Sequence, residues 1–594
     1  MWASLGLVLS LMTAGPQEGT LQADERLRAP ISVHAKIVSA ADFVGLLQRD
    51  TGAKMEVAPR DADRKLTVLC TARPASEVME KVAEALFMSW TFDKRRETWR
   101  LELLAEVRTE EEAARKESRE QDQRVIRTAL QTLDKWADIA REEWPKESKA
   151  IRDRLAAAEK ATGAEAPQRL FEAQVQTDLQ RMQGVSGFAR AWRGRLEEAV
   201  SRLASGETLL ASSRPEDHLP LVPESSVPES AFETTNPVGV VFMVRYLPGE
   251  GALHGQGLMT GHKFGGWIAP FRVRLRRQQG ENDLERRLRV WGKAIDSDVL
   301  SRAINPAQAR VSNERFLLAG YSISDHLEHL ASGADVPVVA DAFRIAISDS
   351  VPFTADTVDG YLEFLRRPWD GRMPYRPGPI RTHGGWLMVR SHEYWKKLDL
   401  ETPERLLRPM EEASRALGTR EYADFAGKLD SAQGAWISAM GNPVLVRFRR
   451  DPLGSALFSL RLWSRLTPAQ RGAAELPRGL STADLSTPER EAFIRTLAEG
   501  LWQTMVPDGI LTTLFSRDPS FRLSYREATG PGNLSPEGGF LNPGVPPLLT
   551  TCLNAEFAYF DESGNTLRSG YALEPPKPRR FPFPDLEMAP LGHP

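Results

Sequence analysis

The histidine pair His326 and His329 is the part of this sequence that most resembles a metal site. The chain has nine histidines in 594 residues, and these two lie in the run Asp325-His-Leu-Glu-His329. Side chains three residues apart share one face of a helix, so both imidazoles could reach one ion. Zinc needs three or four ligands, and the spacing suggests no third one. We therefore expect both histidines on the solvated flank of a helix, and we predict no metal site. Metal carriage through this pair is an alternative that predicts bound zinc in the purified protein.

A glycine-rich run, Gly255-Gln-Gly-Leu-Met-Thr-Gly261-His-Lys263, is superficially similar to a phosphate-binding loop. Such a loop needs Gly-Lys-Ser/Thr in direct succession at the start of a helix. Here His262 intervenes, and the following Phe264-Gly-Gly-Trp267 does not favour a helix. We interpret the run as a surface loop between strands. The sequence also has no G-x-S-x-G elbow, and nothing distinguishes a general-acid pair among its many carboxylates. We therefore predict no catalytic and no cofactor-binding residue.

The charge balance gives no reason to expect a nucleic acid partner. The chain has 77 basic and 80 acidic residues and a formal net charge of −3, so it creates no global field for polyanions. The local basic runs at Arg272–Arg277 and Arg447–Arg450 are typical of solvated strand faces. Cys70 and Cys552 are the two cysteines, too few for a disulfide scaffold, and their pairing stays open.

Residues 1–15 are similar to a secretory signal peptide. Leu5 to Met12 form an apolar stretch, and Thr13-Ala14-Gly15 supply the small residues of a cleavage region. The stretch is too short to cross a bilayer, which needs about 20 apolar residues. No Lys or Arg precedes it, so a buried N-terminal helix is the alternative. We expect a periplasmic or secreted protein with no stable membrane span.

The elements that carry these residues are arranged in a pattern that occurs twice. Each copy follows the order strand, helix, strand, strand, helix, strand. Ser39 and Ser322 are the predicted N-caps of the first helices, which gives an offset of 322 − 39 = 283 residues. Thr51-Gly52-Ala53 and Ser332-Gly333-Ala334 are the predicted helix ends, with an offset of 333 − 52 = 281, so the second helix should be two residues shorter. Such internal repeats define the architecture of a chain.

The predicted fold class is α+β with several domains. Two small βαββαβ-type modules are each followed by a helical module and a β-rich segment. The predicted boundaries are a signal peptide at 1–15, module 1 at 30–104, a helical module at 105–211, a linker at 212–237, a β-rich segment at 238–300, module 2 at 315–392, a helical module at 393–500, a β-rich segment at 505–575 and a flexible tail at 576–594.

The repeated unit resembles the short N-terminal domain, or STN domain, of secretins and TonB-dependent receptors. In the first copy the matching residues are Ser39, Phe43, Leu47, Thr51-Gly52-Ala53, Val57, Leu66, Val68, Val78, Leu86, Trp99 and Leu101. In the second they are Ser322, Leu327, Leu330, Ser332-Gly333-Ala334, Val338, Phe353, Val358, Leu362, Trp386 and Val389. The resemblance implies a domain of the bacterial periplasm that makes protein contacts and carries no catalytic residue.

The expected function is therefore that of an exported, non-enzymatic envelope protein that binds a protein or ligand through STN-like modules. Its expected partners are other envelope proteins, reached through strand edges or helix faces. The alternative is a secreted hydrolase with unrecognised catalytic residues. A cleft lined by convergent carboxylates with shifted pKa values would favour that alternative.

Overall fold

The computed structural model describes residues 20–163, 165–180, 182, 185–214, 219–222, 239–248, 251–260, 267–275, 282–312, 321–344, 346–348, 355–366, 377–411, 418–430, 433, 456–500, 510, 513–514, 520–531 and 551–572. These residues form a mixed α+β protein with several small sheets. The predicted signal peptide, the flexible tail, the basic run Arg447–Arg450 and most of the predicted linker lie outside the described residues.

We call residues 30–104 the first segment. Its elements in order are β1 (Pro30–Ser39), α1 (Ala40–Thr51), β2 (Lys54–Val57), β3 (Lys65–Pro74), α2 (Ala75–Leu86), β4 (Met88–Asp93) and β5 (Thr98–Leu103). Strand β1 pairs antiparallel with β3, β2 pairs parallel with β5, and β4 pairs antiparallel with β5. Ser39 caps α1 by accepting the Asp42 N–H at 3.1 Å, and Gly52 ends the helix in the left-handed region.

A helical region and a small sheet follow. The helices are α3 (Ala105–Trp136), α4 (Trp144–Glu159), α5 (Ala166–Gln180), α6 (Ser186–Ala191) and α7 (Leu196–Ala204). Strands β6 (Thr208–Ser212), β7 (Gly239–Leu247), β8 (Ala252–Thr260) and β9 (Trp267–Arg274) form a sheet in that order.

Two sequence predictions are wrong in this region. The glycine-rich run predicted as a surface loop is strand β8 from Gly255 to Thr260, since these residues pair with β7. The predicted β-rich segment 238–300 ends in helices α8 (Asp283–Trp291) and α9 (Ser297–Leu300). Asn282 and Glu285 form a capping box at the start of α8, a signal that the sequence carried.

We call residues 315–392 the second segment. Its described elements are β10 (Tyr321–Ser322), α10 (Ile323–Ala334), β11 (Val338–Asp341), β12 (Ala346–Ser348), α11 (Val358–Arg366), β13 (Pro377–His383) and β14 (Trp386–Ser391). Strand β10 pairs antiparallel with β12, β11 pairs parallel with β14, and β13 pairs antiparallel with β14. Element order and strand pairings are thus the same as in the first segment.

The prediction that the first helix of the second segment is two residues shorter is wrong. Helices α1 and α10 both have 12 residues. The end of α10 is Asp335, which adopts the left-handed conformation with φ 51°. Gly333 lies inside the helix instead, where a Cβ would come within 2.8 Å of the Ile304 side chain. Close packing, and not chain reversal, is what requires glycine there.

Strands from both segments meet in one sheet. Strand β3 pairs antiparallel with β11, which gives the five-stranded order β1-β3-β11-β14-β13. Strands β2, β5 and β4 form a separate three-stranded sheet, and β10 and β12 a two-stranded one. One hydrophobic core combines residues between Leu21 and Ala114 with residues between Leu284 and Leu400.

The last part of the described chain is helical and then β-rich. Its helices are α12 (Tyr394–Leu400), α13 (Glu404–Glu411), α14 (Thr419–Gly427), α15 (Ala456–Arg465), α16 (Pro468–Glu475) and α17 (Thr487–Gly500). Strands β15 (Leu480–Ser481), β16 (Phe521–Pro531), β17 (Thr551–Asp561) and β18 (Thr566–Ala572) form a sheet in that order. A hairpin turn around Asp561 to Asn565 connects β17 and β18, which pair antiparallel.

Candidate functional site: the joint between the two segments

The joint is the place where β3 and β11 pair, together with the buried side chains that surround this pairing. Its four residue pairs are Leu69 with Val338, Val68 with Val339, Thr67 with Ala340 and Leu66 with Asp341. The Ala342 N–H extends the ladder by donating to the Lys65 carbonyl at 3.1 Å. Both strands are central in the sheet, so backbone hydrogen bonds join two parts of the chain that are far apart in sequence.

A bulge in β1 directs a lysine toward the joint. The pairing of β1 with β3 shifts register between Ala35 and Val38, and Ile37 adopts φ 50°. A β-branched residue in the left-handed region is strained and persists only where its surroundings fix it. Here the Ile37 N–H donates to Thr67 Oγ1 at 3.2 Å, and its side chain is buried. The bulge places Ala35, Lys36 and Ile37 all in buried positions, as bulges that re-aim side chains do.

Lys36 binds two carboxylates of helix α10. Its Nζ lies 2.6 Å from Asp325 Oδ1 and 2.5 Å from Glu328 Oε2, and it donates to the Ser312 carbonyl at 2.9 Å. The Lys36 side chain is only 3% exposed. Strict alternation along β1 would have placed it on the solvent face, so the sequence pattern did not reveal this cluster. Its partners lie 289 and 292 residues away, beyond any local signal.

Glu328 is held as a carboxylate inside this cluster. Burial alone would raise its pKa, but hydrogen bonds from His34 and Lys36 lower the pKa to about 2. The His34 ring nitrogen Nε2 lies 2.7 Å from Glu328 Oε1, and the Ser312 N–H donates to both oxygens at 3.0 Å. The hydrogen bonds to the charged form therefore outweigh its desolvation.

A second lysine joins the sheet to the helical region beyond it. Lys65 Nζ donates to Glu401 Oε1 at 2.6 Å and to the Thr402 carbonyl at 3.1 Å. The other carboxylate oxygen of Glu401 accepts the Arg344 N–H at 3.2 Å. Both charged side chains are buried, and each finds more than one partner. Replacing one partner of such a pair leaves an uncompensated charge.

Arg390 lies in a buried aromatic site on the other side of β11. Its guanidinium carbon is 4.0 Å from the centre of the Tyr394 ring and 5.0 Å from that of Phe87. Its Nη1 donates to the Ala85 carbonyl at 2.7 Å, and its Nε lies 3.2 Å from Asp341 Oδ2. Burial raises the pKa of Asp341 despite this arginine. The cation–π contacts and the ion pair together connect α2 of the first segment with β11 and β14 of the second.

The two histidines are buried, so the expectation that they lie on a solvated flank is wrong. His326 and His329 are 0% and 2% exposed. Tyr361 of helix α11 contacts both imidazoles: its hydroxyl lies 2.9 Å from His326 Nδ1, and its ring stacks on that of His329 with 5.4 Å between the ring centroids. Burial lowers the pKa of His326 to about 4. These groups pack helix α10 against α11.

A shallow cleft lies where α3, α8 and the start of α12 meet. Its lining includes the carboxylates of Glu117, Glu285 and Glu393, with Lys396 beside them. Burial, and then the charges of Glu393 and Glu117, raise the pKa of Glu285. Two carboxylates already have structural partners: Glu285 accepts the Asn282 N–H at 3.2 Å, and Glu393 binds Lys396.

Within the described ranges, no group of three or more His, Cys, Asp or Glu side chains is placed to hold a metal ion. Among the same residues, no helix has the length and apolar character needed to cross a bilayer. Cys70 is a buried free thiol, and burial raises its pKa to about 11, which keeps it protonated at neutral pH. The side chain of Cys552 lies outside the described residues.

Comparison with known proteins found no matching family model, no curated relative and no similar solved structure.

Proposed function

We propose that this chain is an exported, non-enzymatic envelope protein that binds a protein or ligand through two STN-like modules. The modules correspond to the first and second segments, residues 30–104 and 315–392. Each is followed by a helical module and a β-rich segment, as the sequence pattern predicts. The partners we propose are other envelope proteins, with no role for nucleic acid.

The support for two copies of one module is the shared set of strand pairings. In both segments the first and third strands pair antiparallel, the second and fifth pair parallel, and the fourth and fifth pair antiparallel. Two unrelated folds would rarely share element order, strand orientation and strand pairing at the same time. The offset of 283 residues between Ser39 and Ser322 also holds at the helix ends, Gly52 and Asp335.

The single observation that carries a binding role is the pairing of β3 with β11. Here the outer side of a module's second strand accepts a strand from outside that module. Addition of a strand to a sheet edge is a common mode of protein recognition, because main-chain hydrogen bonds supply affinity and alternate side chains supply specificity. A module that already binds a strand within the chain has the geometry to bind strands of other proteins.

Cell fractionation combined with cross-linking tests this proposal. Tagged full-length protein should appear in the periplasmic or secreted fraction and should form cross-links with a small set of envelope proteins. Recovery in the cytoplasm, or envelope extracts without any saturable partner, would contradict it. A matched control is the same chain with Lys135→Met, which changes an exposed lysine of α3 and should leave the captured set unchanged.

The cleft beside α8 is the observation that favours the alternative, a secreted hydrolase. Glu285 with its raised pKa and the nearby Glu117 and Glu393 have the character of an acid–base group. Against it, Glu285 and Glu393 are engaged in a capping box and an ion pair. A panel of glycoside, ester and peptide substrates separates the two: turnover that Glu285→Gln abolishes would establish the hydrolase.

A further inference from the structure

Helices α1 and α10 place different side chains at one equivalent position. The N–H of each helix-ending residue, Gly52 and Asp335, donates to the carbonyl four residues earlier, which belongs to Gln48 in α1 and to Ala331 in α10. The offset is again 331 − 48 = 283 residues. Gln48 and Ala331 are therefore equivalent by hydrogen bonding as well as by numbering. The Gln48 side chain has an amide oxygen that can accept a hydrogen bond, and the Ala331 side chain has no polar atom.

The strands that follow these helices are equivalent in the same way. Met55 lies opposite Trp99 in β5, and Val338 lies opposite Leu387 in β14. The Ala58 N–H points toward β5, because it donates to the Leu101 carbonyl at 2.9 Å. Backbone groups alternate in direction along a strand, so those of Met55 and Val57 point away from β5. The equivalent backbone groups of β11, those of Val338 and Ala340, face β3.

The outer side of the second strand, the side that faces away from the fifth strand, has different partners in the two segments. In the second segment it pairs with a strand, and in the first it is capped by a side chain of the preceding helix. In the second segment Val338 lies opposite Leu69 and Ala340 opposite Thr67 of β3. In the first segment the Met55 N–H donates to Gln48 Oε1 at 3.1 Å. No other strand among the described residues pairs with the outer side of β2. The amide of Gln48 thus occupies a backbone donor that an added strand would need.

We propose that the outer edge of β2 is a second strand-accepting surface, that Gln48 holds it closed, and that its occupant is an apolar strand of a partner protein running antiparallel to β2. The inference rests on the proposed binding function and names the surface and the residue that controls it. The intrachain joint supplies the model for the occupant: Leu66-Thr-Val-Leu69 on the equivalent edge. In a second copy β3 is already an interior strand, so a second copy cannot offer it.

The length and side chains of β2 are those of a sheet edge that is protected from unwanted pairing. Lys54 is exposed and Glu56 half-buried on this four-residue strand. Short length and charged residues are the usual means by which proteins keep an edge from pairing without control. Gln48 is exposed, so its hydrogen bond competes with water and can be displaced by a strand that offers a carbonyl instead. A partner strand would open the edge by replacing Gln48.

Peptide binding to the full chain tests the proposal. The probe is a fluorescently labelled peptide with the sequence of Lys65–Pro74 carrying Cys70→Ser, followed by anisotropy. We expect Gln48→Ala to bind it about fivefold more tightly than the unmodified chain, the factor that corresponds to one hydrogen bond of about 1 kcal/mol. Gln48→Glu keeps an acceptor oxygen and should bind like the unmodified chain. Gln131→Ala, an exposed glutamine of α3, is the matched control.

A blocking variant shows whether the peptide binds at this edge. Val57→Pro removes an N–H that points away from β5, so in the Gln48→Ala background it should abolish the added binding. Equal affinity in the unmodified chain, Gln48→Ala and Gln48→Glu would overturn the proposal. So would binding that Val57→Pro does not reduce. Self-association of Gln48→Ala without peptide, measured by sedimentation, would assign the edge to a second copy and would also overturn it.

The outcome separates this inference from the proposed function. If envelope partners are captured but no variant responds to the peptide, the edge proposal fails while the binding function stands. If Gln48→Ala gains peptide binding but no envelope partner is found, the edge is real and the proposed function is wrong. Thermal unfolding of each variant distinguishes these results from a simple loss of the turn between α1 and β2.

Discussion

Lys36 is the residue on which the charged part of the joint depends. It is a buried cation with two carboxylates and a carbonyl within 2.9 Å. A buried ion pair adds little to stability compared with a well-packed apolar substitute, but removal of one partner leaves the other charge without compensation. Asp325 and Glu328 would be such charges.

Lys36→Met should destabilise the protein by about 3–5 kcal/mol, the range for breaking a buried pair. We expect faster hydrogen exchange in peptides that cover β3 and β11. We also expect unfolding at a lower midpoint concentration of urea. Lys135→Met, which changes an exposed lysine of α3, should leave both unchanged. Adding Asp325→Asn and Glu328→Gln to Lys36→Met should recover part of the loss, because no uncompensated charge remains. No recovery would mean that packing, and not charge, is the cause.

His326 should make the protein sensitive to mild acid. Its pKa is lowered by burial from 6.5 to about 4, so the folded protein keeps it neutral. Below pH 6.5 the unfolded chain takes up the proton first, and stability falls until pH reaches about 4. The difference between these two pKa values corresponds to roughly 3 kcal/mol of stability. Burial lowers the pKa of His329 too, which adds to the loss of stability as pH falls below 6.5.

The measurement is the free energy of unfolding between pH 7 and pH 4. His326→Gln keeps a partner for the Tyr361 hydroxyl and should flatten this pH dependence. Glu328→Gln should act in a lower window, because a carboxylate with pKa lowered to about 2 loses its stabilising effect as pH falls from about 4.5 to 2. An unchanged slope in His326→Gln would show that the imidazole titrates alike in the folded and unfolded protein, which would contradict the prediction.

At the scale of elements, the sequence predicted what depends on neighbouring residues. The serine caps at Ser39 and Ser322 are where the pattern placed them, because capping needs only a hydroxyl three residues from an N–H. The end of α10 was predicted from the triplet Ser332-Gly333-Ala334, which resembles Thr51-Gly52-Ala53. That similarity is misleading, since Gly333 serves close packing and Asp335 makes the turn.

The joint could not be predicted from the same kind of signal. Strands β1 and β3 have apolar positions that fit many sheet neighbours, and nothing local specifies that β11 is the neighbour of β3. The bulge at Ile37 also inverts the burial expected for Lys36. A pairing between residues about 270 apart in sequence depends on shape and charge that exist only after both segments fold. The sequence was therefore enough to predict that the individual helices and strands exist. It was not enough to predict how they assemble into one sheet.

Two proline substitutions at equivalent positions test the joint as an element. Ala340→Pro removes an N–H that faces β3, whereas Val57→Pro removes one that faces away from β5. A proline inside a sheet removes a ladder hydrogen bond and leaves a buried carbonyl without its donor, which costs about 1–3 kcal/mol, whereas an edge position tolerates it. We expect Ala340→Pro to expose β3 to hydrogen exchange and Val57→Pro to leave it protected. Similar protection in both would mean that β11 and β3 do not pair in solution.

At the scale of the whole molecule, the core belongs to both segments at once. Leu66, Val68 and Val82 of the first segment pack in the same cluster as Val338, Leu362 and Leu387 of the second. Charged side chains also connect the early and late parts of the chain. Lys36 binds α10, Lys65 binds Glu401, and Arg390 donates to a carbonyl of α2. Neither segment alone could bury these surfaces, so we expect them to fold together and not as independent domains.

Cleavage of the connecting chain tests this expectation. A protease site inserted between Leu275 and Asn282 cuts the covalent link but none of the contacts of the joint. After cleavage the two pieces should elute together in size-exclusion chromatography and separate only in denaturant, because backbone pairing, buried ion pairs and a common core hold them. Adding Lys36→Met or Ala340→Pro should lower the denaturant concentration at which they separate, while Lys135→Met should not. Separation of the unmodified pieces in native buffer would show that the segments are independent domains whose contact is too weak to form one binding platform.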